Sequence, residues 1–117
     1  MKNNRIKSTI RFIVDCLVKH RYALLYTSSQ VYSLIQELPQ VYLEHALAEY
    51  GGEVTEAPNQ EYQICVIRQG DAPSKLFIDI LLWLDNRESD ITLQCTLHTD
   101  GIVDGRYQFT ITDILVM

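Results

Sequence analysis

Three carboxylates in the C-terminal half, Asp79, Asp90 and Asp113, are the residue types most suited to chemistry in this chain. Two acids roughly 5–9.5 Å apart can divide acid and base duties in glycoside hydrolysis. Asp79 and Asp90 lie on two apolar-rich runs separated by Asp85-Asn86-Arg87-Glu88. If those four residues form the turn, Trp83 faces Asp90 and Asp79 faces Gln94. The two carboxylates are then about 13 Å apart at roughly 3.3 Å per residue. That is too far for joint work on one bond, and Asp90 reads better as a turn cap.

The other reactive types are scattered. His20, His45 and His98 fall on a helix end, a helix and a strand end. No Ser or Cys has nucleophile-elbow spacing, and there is no dinucleotide fingerprint or P-loop. Asp100-Gly101 and Asp104-Gly105 mark turns and carry too few acids for a calcium loop. Cys16, Cys65 and Cys95 form no C-x-x-C pair and no Cys/His zinc spacing. The sequence predicts no catalytic residue, no metal and no cofactor, so a non-enzymatic role is the expectation.

Charge narrows the partners. The formal net charge is −5, and the acids are dispersed rather than gathered in a tail. Nucleic-acid binding rests on a basic surface, so that class is disfavoured, whereas a basic protein partner is compatible. Three widely spaced thiols read as free cysteines in a reducing compartment. The basic N-terminus is interrupted by Asp15, Lys19, His20 and Arg21, which suits neither a signal peptide nor a membrane span. The expected location is cytoplasmic, away from membranes.

Positioning elements follow from periodicity. Ile6, Ile10, Ile13, Val14, Leu17 and Val18 make one stripe of a helix from about Asn4 to Lys19. Lys2, Arg5, Lys7 and Arg11 crowd its first turns, the wrong sign for the helix dipole. That makes them candidates for a purpose other than helix stability. His20-Arg21-Tyr22 ends the helix, and Tyr22 to Tyr26 adds a short turn. Thr27, Ser28 and Ser29 suit an N-cap for a second short helix from Gln30 to Glu37. Pro39 opens a third, striped by Leu43, Ala46, Leu47 and Tyr50 and stopped by Gly51-Gly52. Glu53 to Gln60 reads as a polar connection.

The rest of the chain has a period of two. Glu61 to Gln69 is a strand of moderate quality. From Lys75 to His98, Leu76, Ile78, Ile80, Leu82 and Leu84 share one face, as do Ile91, Leu93, Cys95 and Leu97. Thr99 to Gly105 is expected as a loop, and Tyr107, Phe109 and Ile111 stripe a last strand. Ile114 and Val116 then change parity, which calls for a bulge near Asp113. The reading is one α+β domain over 1–117, helical over about 4–50 and sheet over about 61–117. Its helices pack on one face of a four-stranded antiparallel meander.

Three segments carry a resemblance: Asp79-Ile80-Leu81-Leu82-Trp83, Ser89-Asp90-Ile91-Thr92-Leu93 and Asp113-Ile114-Leu115-Val116-Met117. With the helix end Glu49-Tyr50-Gly51-Gly52, they resemble a small bacterial family of unknown function. Its members share a D-x-x-x-W strand, an S-D-L-T-L strand and a terminal D-I-H-V-L. Leu115 stands where the family has His. The resemblance implies companionship with polymorphic toxin systems, as immunity or accessory proteins.

The face opposite the aliphatic stripe carries Phe77, Asp79, Leu81 and Trp83, with Cys65 and Ile67 able to join from the preceding strand. An aromatic anchor with a polar rim suits a binding surface. Phe77, Asp79, Leu81, Trp83 and Asp90 are therefore the expected partner-binding residues. The partner expected is a protein, such as a basic toxin domain. Alternatives are a homodimeric structural or accessory protein built on this face, or a small-ligand binder or enzyme with a cone-like pocket between sheet and helices, using Asp79, Asp113 and His98. The segment Tyr22 to Leu38 could instead cover the face. Tyr22, Tyr26, Tyr32 and Tyr42 suit either an interface or the edge of the core.

Overall fold

The computed structural model describes residues 2–29, 38–62, 64–68 and 75–116. Helix α1 spans Lys2–Val18, α2 Tyr22–Ser29 and α3 Gln40–Tyr50. Strands follow as β1 Val54–Thr55, β2 Ile64–Arg68, β3 Lys75–Leu84, β4 Arg87–Val103 and β5 Arg106–Val116. The α+β reading holds, with the helices first and an antiparallel sheet after them. β1 and β2 lie in succession along the same edge of β3, so the sheet is four strands wide although it contains five.

The apolar stripe of α1 is buried as its spacing demands: Ile6, Ile10, Ile13, Val14 and Leu17 all enter the core. The helix stops where His20 takes a left-handed φ of 55°. Arg21 N–H then donates to Cys16 O and His20 N–H to Leu17 O, the paired bonds that satisfy a helix's last carbonyls. The chain does not pause at Tyr22, as expected, but forms α2. Thr27, Ser28 and Ser29 belong to that helix instead of capping the next one. The helix expected over Gln30 to Glu37 lies outside the described residues. Pro39 precedes α3, and Gly51 closes it at φ 83° with its N–H on Leu47 O.

Every even residue of β3 from Leu76 to Leu84 is buried, as are Ile91, Leu93, Cys95 and Leu97 of β4. Tyr107, Phe109 and Ile111 of β5 complete that surface, against which α1 and Leu25 of α2 pack. Phe109 is fully buried, its ring 6.1 Å from that of Phe12. The helices lie on one side of the sheet, and one core serves both layers.

Two hairpin turns are tighter than expected. Asp85-Asn86 alone joins β3 to β4, both residues at positive φ, 52° and 64°. That is the backbone twist a two-residue hairpin requires. β1 was read as polar connection, yet it holds this turn in place. Asp85 N–H donates to Glu53 O, Glu53 N–H to Asp85 Oδ1, and Asn86 N–H to Thr55 Oγ1. Thr99 to Gly105 is likewise mostly strand: β4 runs on to Val103, and Asp104-Gly105 makes the turn. At Gly101 the Gln108 side chain lies in the space a Cβ would take, so a larger residue there would move that amide aside.

Bulges explain the register. Between Leu81↔Thr92 and Trp83↔Glu88, β3 advances through Leu82 alone while β4 spends Ser89, Asp90 and Ile91. Between Cys95↔Ile111 and Gln94↔Asp113, Thr112 is the extra residue on β5. This is the expected bulge beside Asp113, and it turns Ile114 back toward the core.

Candidate protein-docking face

The sheet face turned away from the helices is built in cross-strand rows. Phe77, Thr96 and Thr110 form one row, and Asp79, Gln94 and Asp113 the next. Leu81, Thr92 and Leu115 make a third, and Thr55, Trp83 and Glu88 close the end near the β3–β4 turn. Thr92 and Thr96, on an interior strand of the sheet, are buried.

Phe77, Asp79, Leu81 and Trp83 are all half-buried. Leu115 is 38% exposed and lies in line with Leu81, so apolar surface crosses the whole sheet rather than stopping at β3. Sequence parity concealed Leu115, and the parity change at Thr112 was the only signal of it. Cys65 and Ile67 stand opposite Asp79 and Phe77 in register, but their side chains lie outside the described set.

Asp90 does not face Trp83 as expected. The bulge slides it past, and Glu88 takes the position opposite Trp83. Asp90 is exposed, while its neighbour Ser89 does the structural work. Ser89 Oγ donates to Leu82 O at 2.7 Å and accepts from Ile91 N–H at 3.1 Å. The expected turn-capping carboxylate is thus replaced by a serine that fastens the bulge.

The face offers weak means for catalysis. Asp79 and Asp113 flank Gln94 at two strand spacings, about 9.5 Å between backbones, at the outer limit of the roughly 5–9.5 Å of paired-acid hydrolases. His98 Nε2 lies 2.9 Å from Thr110 Oγ1, on the same outer face. A pocket between sheet and helices therefore cannot draw on Asp79, Asp113 and His98, which belong to the opposite side. Among the described residues no three His, Cys, Asp or Glu side chains converge as a metal site. Nor is any helix there long and apolar enough to cross a membrane.

The described part of the Tyr22 to Leu38 segment does not cover this face. Leu25 and Tyr26 enter the core beside α1, and Tyr26 Oη donates to Leu38 O at 2.7 Å. Leu38 N–H in turn donates to Ile111 O on the edge of β5. Tyr42 is exposed, Tyr22 is half-buried, and Tyr32 lies outside the described residues.

The whole face, from Thr55 to Leu115, falls within residues 14–117, the span matched by the profile of a domain of unknown function, DUF7668. The chain belongs to the DUF7668 family. No curated protein and no solved structure matched it. The matched span starts at Val14, inside α1, and takes in every strand of the sheet. In this DUF7668 chain the described residues of the three segments that suggested a family of unknown function, 79–83, 89–93 and 113–116, lie side by side on β3, the bulge of β4 and the end of β5.

Proposed function

We propose that this protein works by binding another protein through the outer face of its sheet. The observation that carries the reading is the apolar band of Phe77, Leu81, Trp83 and Leu115 on a face that no described helix covers. A sheet with one solvated side ordinarily places polar residues there. Here Asp79, Glu88, Asp90 and Asp113 accompany the band, and among the described residues Lys75, paired in register with His98, is the Lys or Arg on this face. An aromatic anchor beside acids fits a basic partner, with charge setting encounter and orientation and Trp83 supplying affinity.

The immunity-type form of this reading rests on the resemblance of the three C-terminal segments to companions of toxin systems. In that form the protein occludes a basic toxin domain in the cytoplasm. Co-expression with the product of the adjacent gene tests it: growth rescue and a co-purifying complex are expected. Absence of both would overturn the immunity form.

A homodimer is the second reading. It is favoured by the end of β5, where Leu115 and Val116 are 38% and 65% exposed at the sheet edge. Sedimentation of the isolated chain separates it from the first reading, which expects a monomer.

A further inference from the structure

Six of the ten basic residues lie within the first 21 positions, accompanied by Asp15 as the one acid there. Three of the cations around α1 already have partners. Arg5 sits over the Tyr107 ring at 5.8 Å, and Arg106 over the Phe12 ring at 3.7 Å. Lys19 pairs with Asp15 at 3.1 Å. Lys7 and Arg11, one turn apart on α1, have no acidic partner at ion-pair distance among the described residues. Both instead line a cavity of about 270 Å³ with Ile10, Gln60, Glu61, Tyr62 and Ile64. At about 30 Å³ of liquid volume per water, that space holds roughly nine waters.

The walls of this cavity are built. Ile64 stands opposite core-facing Ile80 in the sheet register, yet it is 39% exposed, because it opens into the cavity. Tyr62 Oη accepts a hydrogen bond from Ala57 N–H at 3.3 Å, which fixes the ring as one wall. Asn59 and Gln60 both hold left-handed backbone, φ 57° and 55°, a conformation disfavoured for glutamine. Burial raises the Tyr62 hydroxyl pKa, so the phenol stays neutral in this wall. The basic start of α1 opposes the helix dipole and finds its use here.

We propose that the groove between α1 and the residues Gln60, Tyr62 and Ile64 binds a small ligand with an anionic head on an apolar or aromatic body. Lys7 and Arg11 hold the head, and Ile10, Tyr62 and Ile64 take the body. This site lies on the helix side of the molecule and is independent of the docking face. Phosphate or carboxylate could supply the head, and the test distinguishes them.

The full chain is titrated with inorganic phosphate, phenyl phosphate and benzoate while backbone amide resonances are followed by NMR. The expected shifts centre on Ile10, Arg11, Tyr62 and Ile64. Phenyl phosphate or benzoate should bind about tenfold more tightly than inorganic phosphate, from burial of the ring. The tighter of the two identifies the head. K7Q/R11Q, at two exposed positions, should abolish these shifts and leave the rest of the spectrum unchanged. K19Q/R21Q, with the same loss of charge, should bind as the parent does. Shifts spread over all basic residues, or equal affinity for phosphate and its phenyl ester, would overturn the proposal. So would binding that survives K7Q/R11Q.

Discussion

Thr9 and Tyr107, 98 positions apart in sequence, meet through one buried hydrogen bond in which Tyr107 N–H donates to Thr9 Oγ1 at 2.9 Å. The same hydroxyl donates to Arg5 O at 2.8 Å, so a single side chain joins α1 to the outer edge of β5. An edge strand with open N–H groups invites pairing with other chains, and here Thr9 occupies the Tyr107 N–H at the start of β5. Replacing Thr9 by Val keeps the shape and leaves the Tyr107 N–H buried without an acceptor. Urea unfolding of T9V should show a loss of about 1–3 kcal/mol, the cost of an orphaned buried donor. Thr9→Ser, which keeps the hydroxyl, should lose less.

Ser89 and Asp90 are adjacent and should behave in opposite ways. Ser89→Ala removes both bonds that fasten the β4 bulge and should cost about 1–2 kcal/mol. It should also loosen the register at Trp83, visible as faster amide exchange at Ile91. Asp90 is exposed, so Asp90→Ala should change stability by no more than about 0.5 kcal/mol. Its effect is expected on association with a basic partner, as a slower and less salt-sensitive on-rate.

These two residues also mark the boundary of what the sequence revealed. The even-numbered stripe of β3 and the stripe of α1 were legible because each buries one face with a regular period. The bulge at Thr112 was legible because it shifts apolar residues from one parity to the other. The Ser89 bulge was not, since it spends two extra residues and leaves parity intact. β1 is two residues long, too short for any period, and owes its pairing to the Asp85-Asn86 turn. That turn was read as four residues because it has no glycine, although Asp and Asn tolerate left-handed backbone. α2 was reduced to a turn because Leu24 is 43% exposed beside buried Leu25, giving no clean stripe. Of the docking face, the β3 residues were visible. Glu88 and Leu115 needed the register.

Burial raises the pKa of the Cys95 thiol, with the Asp79 charge adding to it, and burial likewise raises Cys16 and Tyr26. Each group is held neutral in the fold but ionises in the unfolded chain. Their contribution to stability is therefore complete below the unfolded thiol pKa, about 8.5, and declines as pH rises above it. Stability measured by urea should fall between about pH 8.5 and 11, and Cys95→Ala should flatten that fall while lowering stability at pH 7. Thiol-reactive probes should label Cys95 in the native protein only at the rate of unfolding.

Trp83 is the chain's single tryptophan, so its fluorescence reports the docking face without interference. The most direct measurement is acrylamide quenching of that emission, first in the isolated monomer and then in the complex with the adjacent gene product. The account predicts quenching in the monomer, shielding in the complex, and a W83A variant that keeps its melting transition while losing about 2 kcal/mol or more of binding. A tryptophan already fully shielded in the monomer, together with a W83A chain that unfolds, would place Trp83 in the core and contradict the account.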